Sequence, residues 1–81
     1  MTAKEAILQA FRKVAPEADL ATLDPDVPIR DQIDIDSMDQ LNVVIRLHEI
    51  LGVTIPESDY RRLTTINGMI AYLGERMGEG R

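Results

Sequence analysis

The stretch from Ser37 to Leu51 lies between a helix-opening acid, Asp36, and a helix-closing glycine, Gly52, and its apolar residues fall on two faces. Aspartate is a good N-cap, and Asp39 adds a carboxylate in the first turn, where the helix dipole favours negative charge. On a wheel of roughly 100° per residue, Val43, Val44, Leu47, Ile50 and Leu51 share one side. Met38, Leu41 and Ile45 form a second row almost opposite, with Asn42 and Glu49 beside it and Asp39, Arg46 and His48 at its margins. One stripe is enough to dock a helix on a core. The second row therefore forms a contact surface around Ser37, or else the helix is central and buried nearly all round. Periodicity leaves both open.

A chain of 81 residues supports one small domain, 1–81, close to the size at which a single core barely suffices. Its ordered core is expected over about 2–77. The aromatics are few (Phe11, Tyr60, Tyr72), so that core must be built from Ile, Leu, Val and Met. The absence of cysteine removes disulfides, a cysteine–zinc site and a thiol nucleophile, and fits a reducing compartment. A net charge of −5 argues against nucleic acid as a partner. The charge is uneven: residues 24–39 hold six acids and one arginine, while 61–81 hold four arginines and two acids. Electrostatic steering should draw basic partners to the Ser37 region. No apolar run approaches membrane-spanning length, so no membrane insertion is expected. The opening residues lack the layout of a secretory signal, and a cytoplasmic location is expected.

Thr2 and Glu5 read as a capping box, opening a helix whose apolar positions are Ile7, Leu8, Phe11, Val14 and Ala15; Pro16 stops it. A long acidic connection follows to Ile35, with Leu20, Leu23, Val27, Ile29 and Ile33 spaced to pin it and a short helical turn possible within Glu17–Leu23. The second helix runs from Ser37 to Leu51 and stops at Gly52. After the extended link Val53–Pro56, residues 57–62 suit a brief third helix, acidic at its start and basic at its end. Thr65 is the expected N-cap of the last helix, with Ile66, Met69, Ile70, Leu73 and Met77 as its stripe, and Gly78 to Arg81 should fray.

Two chemical readings fail on spacing. A calcium loop starting at Asp34 needs a ligand at its fifth position, Gly at its sixth and Glu at its twelfth, where this chain has Met38, Asp39 and Ile45. A nucleophilic Ser37 needs a base, and His48, the sole histidine, lies eleven residues along the same helix. That separates the pair by roughly 16 Å. His48 reads as a surface residue, no residue is assigned a catalytic or metal-ligating role, and the protein is not expected to be an enzyme. An exposed serine on a rigid helix start, without its own base, suits modification by another enzyme.

The ordered set Asp34-Ile35-Asp36-Ser37-Met38, then Val53-Thr54-Ile55-Pro56, the acidic-start segment 57–62 and Leu63-Thr64-Thr65-Ile66 resembles the acyl carrier protein family, without gaps from about Ile33 to Leu73. The resemblance implies an all-α fold: a small four-helix bundle with a long first loop and a short third helix. It implies a 4′-phosphopantetheine arm on Ser37, with Asp36 as the flanking motif residue, bearing acyl groups as thioesters. It also implies a docking row of Met38, Asp39, Leu41, Asn42, Ile45, His48 and Glu49. The partners implied are a phosphopantetheinyl transferase and acyl-loading and acyl-processing enzymes, met by a monomer.

Departures from the family pattern are informative. Asp34 replaces a glycine, Met38 a leucine, and Asn42 and His48 usual acids, with Arg46 nearby; Tyr60 stands where a small residue usually lines the acyl cavity. They point to a specialised lipid or polyketide-type pathway, and the bulk of Tyr60 is expected to restrict how much acyl chain is sheltered. A peptidyl or aminoacyl carrier shares the same motif, and a helical interaction module without a prosthetic group shares the same pattern of stripes.

Overall fold

Each α-helix begins where a short polar side chain satisfies one of its first free amides. In the computed structural model, which describes residues 1–79, α1 spans Ala3–Val14 and is opened by the expected box. Glu5 N donates to Thr2 Oγ1 at 3.1 Å and Thr2 N to Glu5 Oε1 at 3.2 Å. The Thr2 amide, then its hydroxyl, hold the Glu5 carboxyl below the usual range. Helix α2 spans Ser37–Leu51 and ends on Gly52, whose φ of 70° is the left-handed stop. Helix α3 spans Ile66–Glu79, with Thr65 Oγ1 accepting from Gly68 N at 2.9 Å. The expected fraying at 78–81 is not seen as far as Glu79; Gly80 and Arg81 lie outside the described residues.

The third helix forms, over Glu57–Leu63, but as 3₁₀ rather than α. Seven residues opening on Pro56, with no side-chain cap, give the tighter i→i+3 pairing the advantage, as in Asp59 N to Pro56 O at 2.9 Å. Its last turn runs so close to α3 that a Cβ on Gly68 would sit 2.8 Å from the Arg62 carbonyl oxygen. That close approach explains the glycine.

Helix α1 packs against both α2 and α3, and the short helix against α3. The core between them contains Ile7, Phe11, Val43, Leu47, Met69 and Leu73, all nearly inaccessible. The long connection is pinned by buried Leu20 and Ile29, within 3₁₀ turns at Leu20–Thr22 and Ile29–Asp31. Polar bonds sew it down as well. Ile29 N donates to Thr64 O at 2.9 Å, Asn67 N to Pro25 O at 3.0 Å, and Asn67 Nδ2 to Asp26 Oδ1 at 2.7 Å.

Tyr72 is buried to 1% exposure, yet its hydroxyl donates to Asp59 Oδ2 at 2.6 Å. The Arg62 guanidinium lies 4.8 Å from the ring centre and donates to Glu75 at 2.8 Å, so the short helix is tied to α3 twice. Burial first, and the bond to Asp59 second, push the Tyr72 phenol above its ordinary pKa. A raised folded pKa adds stability that is complete below the unfolded value and is lost as pH rises through the folded one. Tyr72→Phe should therefore cost about 1–2 kcal/mol at neutral pH. Its denaturant-measured stability should also fall less steeply than wild type above about pH 10.

Candidate functional site

Ser37 is the first residue of α2, and its hydroxyl is left free by the residue before it. Asp36 takes the capping role: its Oδ1 accepts from Asp39 N at 2.9 Å, and Asp39 Oδ2 accepts from Asp36 N at 3.3 Å. Ser37 is exposed, and its side chain has no hydrogen-bond partner among the described residues. A group attached to Oγ would project into solvent, requiring no core side chain to move. Its phosphate would also lie at a helix N-terminus, where the helix dipole favours an anion while the Asp36 and Asp39 carboxylates oppose it. The residues present fit a phosphopantetheine arm.

The two stripes of α2 have opposite fates. Val43, Val44 and Leu47 are buried, while Met38, Leu41 and Ile45 are 64%, 38% and 47% exposed. A helix buried nearly all round is thus excluded, and the apolar row beside Ser37 is uncovered. Asn42, His48 and Glu49 are exposed around it; Asp39, held in the capping box, is half-buried. Arg46 Nη1 pairs with Glu49 Oε1 at 3.4 Å, so the row's C-terminal acid is partly neutralised within the helix.

His48 is exposed, but it also has a structural bond. Its Nδ1 lies 2.9 Å from Val53 O, and a carbonyl can only accept, so Nδ1 carries the proton. The ring thereby ties the end of α2 to the link that follows, far from Ser37.

Beneath the first turns of α2 lies a cavity of about 300 Å³, lined by Gln40, Val43 and Val44 from α2 and by Tyr60, Arg61 and Leu63 from the short helix. Phe11, Ile29, Arg30, Ile35, Thr64 and Met69 complete it. Tyr60 is half-buried and forms part of this wall, where the sequence comparison with the family pattern placed it. Arg30 and Arg61 were not legible as cavity-lining residues, because both sit in short irregular segments where periodicity carries no facing information. The Tyr72–Asp59 pair was hidden for the same reason: Asp59 reads only as a favourable acid at a helix start.

The family described as a phosphopantetheine attachment site matches residues 5–73. The acyl carrier protein of Acidothermus cellulolyticus is 32% identical over 73 residues, covering 86% of this chain and 87% of that protein. That of Myxococcus xanthus is 28% identical, covering 90% and 96%. That of Kineococcus radiotolerans is 27% identical, covering 96% and 100%. No solved structure matches the chain at a significant level. With family and relatives aligned over nearly its whole length, this chain belongs to the phosphopantetheine-bearing acyl carrier protein family.

Proposed function

We propose that Ser37 carries the phosphopantetheine arm and that the uncovered row of α2 is where partner enzymes dock. The observation that carries this reading is the free, exposed Ser37 hydroxyl at a capped helix start, one residue from an exposed apolar row. When attached, the arm supplies a thiol that holds the acyl group as a thioester. The protein's own residues do the positioning. Asp36 and Asp39 fix the helix start, and Met38, Leu41 and Ile45 offer partners an apolar contact. A phosphopantetheinyl transferase attaches the arm, and chemistry on the cargo belongs to the acyl-loading and acyl-processing partners. The loss of acids at Asn42 and His48, and the pairing of Glu49 by Arg46, support a dedicated pathway of lipid or polyketide type.

Incubation with coenzyme A and a phosphopantetheinyl transferase should add one phosphopantetheinyl group to the wild type by intact mass. Ser37→Ala should gain none while staying folded, at a cost below about 1 kcal/mol, since Asp36 provides the cap. Modification of Ser37→Ala would refute the assignment, and an unmodified wild type would favour an interaction module without an arm.

Leu41→Asp should slow that modification with little change in thermal stability, whereas Leu47→Asp should unfold the domain by placing a charge in the core. Equal destabilisation by the two would contradict a docking role for this face.

Asn42→Glu restores a negative charge without touching the His48–Val53 bond, and so is a clean probe of the face's electrostatics. It should raise the rate at which a housekeeping malonyl transacylase loads the phosphopantetheinylated protein, most visibly at low salt. Because an exposed pair is worth only about 0–1 kcal/mol, the gain should be a few-fold. A wild-type rate equal to a housekeeping carrier's, with no gain in the variant, would show the face to be misread.

A further inference from the structure

The cavity under α2 has an apolar base and a cationic rim. Phe11, Val44, Leu63 and Met69 form the base. Arg30 and Arg61 line it from two different segments, the 29–31 turn and the short helix. Both are exposed, and neither guanidinium has a hydrogen-bond or ion-pair partner among the described residues. By contrast, Arg46 and Arg62 are paired with acids, and Arg76 donates to the Thr54 carbonyl. Arg12 on α1 is likewise without a partner among the described residues but does not line this cavity; what sets Arg30 and Arg61 apart is that both do, in a chain of net charge −5.

A guanidinium offers a planar fork of donors that matches a carboxylate. The volume of about 300 Å³ lies at the lower end of the range for ligand pockets and suits a short group rather than a long alkyl chain. Resting on the assignment of Ser37, we propose that this cavity receives a short acyl group bearing a carboxylate, with Arg30 and Arg61 as specificity-determining residues. The arm's own phosphate is the other anion available, but it is fixed at Ser37, which does not line the cavity, whereas both arginines do. What they meet is therefore what the arm brings in.

The test loads wild type and the Arg30→Gln/Arg61→Gln variant in one step from coenzyme A, butyryl-coenzyme A or succinyl-coenzyme A, using a promiscuous transferase. Intact mass checks attachment, and thermal unfolding reads the cargo's effect. The succinyl form of the wild type should melt about 4 °C or more above the butyryl form. That advantage should shrink in high salt and vanish in the double variant. Equal melting of the two wild-type acyl forms would overturn the proposal while leaving Ser37 intact, and this comparison needs no variant to fold. An equal loss in all three forms of the variant, the acyl-free one included, would assign the arginines to the arm's phosphate and overturn it too. No mass gain in any form would remove the Ser37 assignment, and this proposal with it.

Discussion

The reciprocal bonds between Asp36 and Asp39 decide where α2 begins, and the site depends on that register. Because Asp36 supplies the capping oxygen, Ser37 enters the helix as its first residue with its hydroxyl uncommitted. A start displaced by one residue would make Ser37 itself the cap, with its oxygen drawn toward a backbone amide. At roughly 100° per residue, the same start places Met38, Leu41 and Ile45 outward once Val43, Val44 and Leu47 face the core. The proposed attachment point and the exposed apolar row are thus two consequences of one cap.

The other wall of the cavity is held by a different set of forces. The 3₁₀ segment Glu57–Leu63 is too short to be stable alone, and α3 supplies what it lacks. Tyr72 reaches Asp59, Glu75 reaches Arg62, and Gly68 lets the two backbones approach. All three contacts lie on the α3 side. Toward α2 the segment presents Tyr60, Arg61 and Leu63 to open space, so the cavity is bordered by a wall anchored from behind. In the proposed role of the cavity, Tyr60 and Arg61 are the side chains of this wall that set cargo size and chemistry, while Leu63 belongs to the core.

Much of this was legible in the sequence, for reasons that differ by residue. The bounds of α2 followed from Asp36 and Gly52, whose local chemistry overrides neighbouring propensities. The Thr2–Glu5 box and the Thr65 cap were equally local. The exposed row was legible as a pattern but not as a surface, because periodicity gives the angle between two faces and not which neighbours cover them. Asn67–Asp26 and Tyr72–Asp59 join residues distant in the chain, which no local signal reports. The 3₁₀ geometry of 57–63 was likewise unreadable, since dipole-favouring charges suit either kind of helix.

The uncovered row also constrains how such a protein meets its partners. Only three apolar side chains, Met38, Leu41 and Ile45, are uncovered on this face of α2, whereas stable, specific interfaces engage about 20–30 residues a side. The polar surroundings add orientation rather than strength, since exposed pairs are worth little each. Arg46 Nη1 is paired with Glu49 before a partner arrives, so engaging either group first costs that contact. Short-lived complexes follow from these magnitudes. A carrier must leave one enzyme to reach the next, and a weakly binding face suits the docking role proposed for this row. The core, complete without Met38, Leu41 and Ile45, lets the face be exposed without loss of the fold.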